Sequence, residues 1–150
     1  PTNGNGLIDT NRKRALVWSH LQAAGYITGS YPDNGSTVVP AAYNCLITIC
    51  PDNGFGQGMV IDRGALQQSA GAPAHELISG RAIPSDVLAE LDRKIDDGTP
   101  SAGAMQLGIA GLGWGALGEI PLCQGTAPAN QDIYNMKTPS DNCAAVFRNF

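Results

Sequence analysis

Charge is scarce in this chain. Only 15% of its 150 residues are Asp, Glu, Lys or Arg, against about 25% in an average soluble domain. Acids outnumber bases 13 to 9, and the net charge of −4 withholds the basic footprint that nucleic acid needs. Aromatics are 6%, so a core must be mostly aliphatic. No apolar run approaches the ~20 residues that span a bilayer, and no signal-peptide pattern is read in these 150 residues. Pro1 opens inside a Gly/Asn segment, which suits a mature terminus or a trimmed boundary equally.

What the chain has instead is turn-forming residues. Glycine (19) and proline (10) account for 29 of 150 positions, and the length suits one loop-rich domain. The four cysteines are Cys45, Cys50, Cys123 and Cys143. None forms the short Cys/His spacings of a zinc site, so two disulfides and an oxidising compartment are expected. Of three connectivities, the local pairs Cys45–Cys50 and Cys123–Cys143 are preferred. The longer loop would contribute about 3 kcal/mol by the chain-entropy argument.

Residues 11–24 read as a helix, capped by Asp9 or Thr10, with Val17, Trp18, Leu21 and Ala24 on one apolar stripe and Gly25 as its stop. Its first turn carries Arg12, Lys13 and Arg14, the wrong sign for a helix start. That implies a longer parent helix, an acidic partner or a solvated cluster. Residues 41–49 are β-biased, a short strand falls near Met59–Asp62, and 72–79 reads as strand or helix. A second helix is expected over 86–96 behind Ser85 as N-cap. Its predicted buried stripe is Val87, Leu88, Leu91 and Ile95. Strands over 104–110 and 143–148 complete an α+β pattern with antiparallel turn chemistry.

Several chemistries lack their parts. Gly113–Gly118 matches G-x-G-x-x-G, but Pro121 and Cys123 follow where a phosphate-binding helix should start. No elbow motif surrounds a serine that His20 or His75 could activate. Asp96-Asp97 reads as a turn, not a catalytic pair. Asn3–Asp9 resembles part of a calcium loop, yet Pro1 and Arg12 stand where acidic ligands belong. The loop as it stands is broken at both ends, and Asp132 and Asp141 in the 124–142 loop are the other candidate calcium ligands. No cofactor is otherwise expected.

Three passages acquire meaning together: Trp18–Tyr31 (WSHLQAAGYITGSY), Leu91–Gly103 (LDRKIDDGTPSAG), and Ile133–Met136 followed by Cys143–Arg148 (CAAVFR). In that order they resemble the globular part of type IV pilin-like proteins, including minor pilins and secretion pseudopilins. The resemblance implies an N-terminal helix packed on an antiparallel β-sheet, with a C-terminal disulfide-bounded loop at Cys123–Cys143 on the surface. It implies a filament subunit and no enzyme. The partners would be other copies or related pilins and the inner-membrane assembly machinery, with Arg12, Lys13, Arg14, Val17, Trp18 and Leu21 as subunit-packing residues. The family's hydrophobic N-terminal helix half is missing, so membrane anchoring would rest with residues ahead of Pro1. The Cys45–Cys50 loop is an addition to the family pattern. Cell surface or periplasm is the expected location. Two alternatives come from other classes: a secreted binding module that grips its ligand with the 124–142 loop, and a small secreted hydrolase built on His20 or His75.

Overall fold

Thr10 starts the first helix. Its backbone is extended, and its side-chain oxygen accepts the amide of Lys13 at 3.3 Å, which satisfies one of the donors every helix start leaves open. The helix, α1, runs Asn11–Ala23. Gly25, at φ +78°, stops it: its amide reaches Gln22 O, and the amide of Tyr26 reaches Leu21 O. These paired bonds need the left-handed conformation that glycine adopts without strain. We describe the chain from a computed structural model that covers residues 4–38, 45–69, 71–108, 122–125 and 132–148.

Four strands follow around a second helix: β1 Val60–Gly64, β2 Ala74–Ile78, α2 Ser85–Ile95, β3 Met105–Leu107 and β4 Ala145–Phe147. The sheet is antiparallel throughout, in the order β1-β2-β4-β3. The last strand in sequence is thus inserted between β2 and β3. Side-chain alternation along it serves two cores. Val146 joins Ala15, Trp18, Val60, Leu66 and Ile78 beneath α1. Ala145 and Phe147 join Leu88, Ala89, Met105, Leu107 and Tyr134 around α2. Each core holds one disulfide, Cys45–Cys50 in the first and Cys123–Cys143 in the second. The α+β class and the local pairing of cysteines therefore stand.

Beneath α1 the sheet carries charge. Asp62 and Glu76 are cross-strand partners on β1 and β2, and both are almost fully buried. Two like charges at that spacing repel each other. Arg14 reaches Asp62 from α1 with Nε 2.6 Å from Oδ1. Arg148, just past β4, sets its Nε 2.6 Å from Glu76 Oε1. Both Glu76 oxygens also accept the amide of Leu66. The two arginines thus fasten the first helix and the last strand onto one strand pair.

Several expectations change. The basic first turn of α1 finds its acids inside the chain: Arg12 pairs with Asp33, Lys13 with Asp9, and Arg14 with Asp62. Arg14 and Trp18 are buried and so are not surface packing residues. Val17 and Leu21 are partly buried against the same core, while Ala24 is exposed. Ser85 is the first residue of α2, not its cap. Pro84 is the cap, and the Ser85 hydroxyl donates to Asn135 O instead. Ile47–Cys50 is a turn rather than strand, because closing a disulfide over five residues forces the backbone to fold back; the amides of Ile49 and Cys50 both reach Leu46 O. The rest of the β-biased stretch, 41–44, the Gly113–Gly118 motif and part of the 124–142 loop lie outside the described residues.

Removing one member of a buried pair strands the other charge, at a cost of about 3–5 kcal/mol. Arg14→Met should lose that much in urea unfolding, and adding Asp62→Leu should recover most of it. A single-variant loss under about 1 kcal/mol, the scale of exposed pairs, would show that α1 does not depend on the contact.

Candidate functional site

The turn after α2 gathers carboxylates. Asp92, Asp96 and Asp97 bring one oxygen each within 4.8 Å of one another, the one group of three metal-capable side chains among the described residues. Each already has work in the fold. Asp92 is buried in the second core, where Oδ2 accepts Tyr134 Oη at 2.8 Å and Oδ1 accepts the amide of Gly98 at 3.2 Å. Asp96 Oδ2 accepts the amide of Met105 at 2.7 Å, the first residue of β3. Asp97 Oδ1 accepts the amide of Thr99 at 2.8 Å. The Asp96 carboxylate lies where a Cβ on Gly103 would stand, and Gly103 itself has φ +75°. Only glycine fits that position. The cluster thus shapes the chain's return from α2 into β3, in agreement with the reading of Asp96-Asp97 as a turn. Its spare oxygens are the donors a hard cation would use.

Burial raises the Asp92 carboxyl above its ordinary value of 3.8, against the lowering effect of the Tyr134 and Gly98 bonds. Burial beside Asp92 likewise raises the Tyr134 phenol far above its usual range, so the hydroxyl stays protonated and donates.

The segment that resembles a calcium loop is occupied by the protein's own cation. Lys13 Nζ lies 2.8 Å from Asn5 Oδ1, 2.7 Å from Leu7 O and 2.9 Å from Asp9 Oδ1. These are the kinds of oxygen a calcium site would recruit, and an ammonium on α1 holds them. The same contact pulls Asp9 below its ordinary range.

The other predicted residues are dispersed. Asp132 Oδ1 accepts the Ser101 hydroxyl at 2.6 Å, and Asp141 is exposed; the described residues place neither in a group of three potential ligands. His75, on β2, uses Nε2 to accept the amide of Ile8 at 3.2 Å. His20 is exposed on α1, and all four cysteines are in disulfides. A nucleophile paired with either histidine does not emerge among these contacts.

Sequence reasoning missed a groove of about 530 Å³ between α2 and the disulfide-bounded segment. Leu122, Ile133 and Met136 border it as exposed apolar side chains, with Arg93 and Lys137 as its cations. Its two sides, Ala89–Gly98 and Leu122–Thr138, are far apart in sequence, and no local pattern reports that they meet. Compared with family models, curated proteins and solved structures, the chain matches none. The chain is a small α+β domain with two disulfides, which suits an oxidising compartment. No helix among the described residues is long and apolar enough to cross a membrane.

Three outcomes test this site. Asp92 holds its proton more tightly folded than unfolded, so it adds stability below pH 3.8 that fades as pH rises to its elevated folded value. In Asp92→Asn this slope should vanish: urea unfolding from pH 3 to 7 should show the wild type's advantage over the variant falling as pH rises through that window. An advantage that grows with pH would mean the carboxylate is favoured in its ionised form. In Lys13→Met the Asp9 carboxyl, followed by NMR titration, should move up towards its ordinary range. In the wild type, added calcium should leave the Asn5, Leu7 and Asp9 signals in place.

Proposed function

We propose that this chain is a structural subunit, the globular part of a type IV pilin-like protein that packs with copies or relatives into a pilus or a secretion pseudopilus. The observation that carries the reading is the placement of the C-terminal disulfide. Cys123–Cys143 bounds the segment that leads directly into β4, and β4 sits inside an antiparallel sheet whose other end is covered by the N-terminal helix. A segment anchored in this way can vary its surface without disturbing the sheet, which suits the exposed loop of a filament subunit. Surface composition supports the same reading: Leu46, Ile47 and Phe55 near one disulfide, and Leu122, Ile133 and Met136 near the other, are each two-fifths exposed or more. Such apolar patches favour association. In this reading the role is assembly rather than catalysis, at the cell surface or in the periplasm.

The groove beside α2 favours a second reading, a binding module. Its volume falls in the range of small-molecule sites, about 300–1,000 Å³, and its apolar floor with Arg93 and Lys137 suits an amphipathic anion.

Deletion of the gene in its host, followed by electron microscopy of surface filaments and assays of motility, DNA uptake and secretion, separates the two. Loss of filaments or of secretion, restored by complementation, is expected. Four unchanged phenotypes, with the isolated domain retaining affinity for a cell surface, would overturn the subunit reading in favour of the module.

A further inference from the structure

Helix α2 turns only part of its apolar surface inward. Leu88 and Ala89 are buried, together with Ser85 and Asp92. Val87, Leu91 and Ile95, expected in the core, are instead 41%, 38% and 57% exposed. They are spaced i, i+4, i+8 and so form one ridge along the helix. The reason for the discrepancy is visible in the second core, where Asp92 and Tyr134 take the position that a continuous aliphatic stripe would have filled.

Beside this ridge runs a second one, Asp86, Glu90 and Lys94, also at i, i+4, i+8 and exposed. Glu90 meets Lys94 at 3.8 Å and Arg93 at 3.3 Å, contacts open to solvent and individually weak. The charge order along this ridge, two acids followed by a base, is complementary to its own reverse. If a second α2 is laid antiparallel with Leu91 on the two-fold axis, Val87 faces Ile95 of the other copy and Leu91 faces Leu91. The 1.5 Å rise per residue then sets Lys94 of each copy between Asp86 and Glu90 of the other. A parallel pairing would put the two charged ridges on opposite sides of the seam, where they could not meet.

From this we infer that the exposed face of α2 is a self-docking surface whose occupant is the α2 of a second copy, antiparallel and centred on Leu91. The contact is isologous, so it closes with two copies. It goes beyond the filament reading and does not depend on it. Three apolar side chains fall short of a standard interface of about 1,600 Å², so a reversible, concentration-dependent dimer is expected.

The test uses the whole chain in analytical ultracentrifugation across a hundredfold range of concentration. Wild type should shift from monomer towards dimer. Lys94→Glu makes the flank wholly acidic, and Asp86→Lys with Glu90→Lys makes it wholly basic. Each variant alone should remain monomeric at concentrations where wild type pairs, and an equimolar mixture should recover dimers. The three altered positions are exposed, and circular dichroism will confirm that the variants are folded. Register is read independently by Leu91→Cys, which should form an intermolecular disulfide in mild oxidant while Val87→Cys alone does not. A wild type that stays monomeric throughout, or mixed charge variants that fail to pair while wild type does, would overturn the proposal. Loss of filaments in a deletion strain bears on the subunit reading only and leaves this one untouched.

Discussion

Two carboxylates placed side by side in the interior set the terms for this fold. Asp62 and Glu76 face each other across β1 and β2 with almost no solvent to screen them. Removing charge from water costs several kcal/mol per ion, and a buried pair recovers this only with good geometry and filled lone pairs. Both conditions are met, but each by residues distant in sequence: Arg14 is 48 positions from Asp62, and Arg148 is 72 from Glu76. A sheet with these two acids on its inner face cannot be finished until the first helix and the end of the chain have both arrived. The remaining lone pairs of Glu76 take the Leu66 amide, and Arg148 Nη2 also donates to Gly64 O. Strand β1 is thereby tied down at the edge where it would otherwise fray. The arrangement adds specificity of register as well as energy, because a one-residue slip of β1 against β2 would turn Asp62 away from Arg14.

The second core uses acids differently. Asp92, Asp96 and Asp97 receive backbone amides and a phenol instead of cations. A carboxylate that holds two neutral donors can stay inside without an arginine, provided it is free to keep a proton when burial demands it, and the raised value of Asp92 is that response. The sharp return from α2 to β3 depends on this. With so few charges in the chain, both cores place some of them where they direct the backbone.

The local signals were legible. Thr10 and Gly25 bound α1 as capping chemistry requires, α2 lies within a residue of its expected span, and spacing alone suggested both disulfides. What periodicity could not show is which face of a helix wins. On α1, the apolar stripe at Val17 and Leu21 is only half-buried, because Arg14 needs the innermost position to reach Asp62. On α2, Asp92 displaces Leu91 from the core for the same kind of reason. In both helices a buried polar contact outranks hydrophobic patterning, and such a contact closes over dozens of residues, so nothing in a window of 11 to 18 residues reports it. The candidate calcium loop fails to fit for a related reason: its oxygens were readable, but that Lys13 would fold back onto them was not.

This displacement also bears on association. A helix that must point Asp92 inward has to rotate some of its leucine and isoleucine outward, since 3.6 residues per turn leave no room for both on one narrow face. The exposed ridge of α2 is thus a geometric consequence of the acid turn, and so is the charged ridge beside it. At least six of the nine basic residues already pair within the chain. Of these, Arg93 and Lys94 share the single acid Glu90 through solvated contacts, which makes them the pairs most easily exchanged for a partner's. The interior's demand for buried carboxylates and the surface's capacity to associate are in this way set by the same few residues of α2.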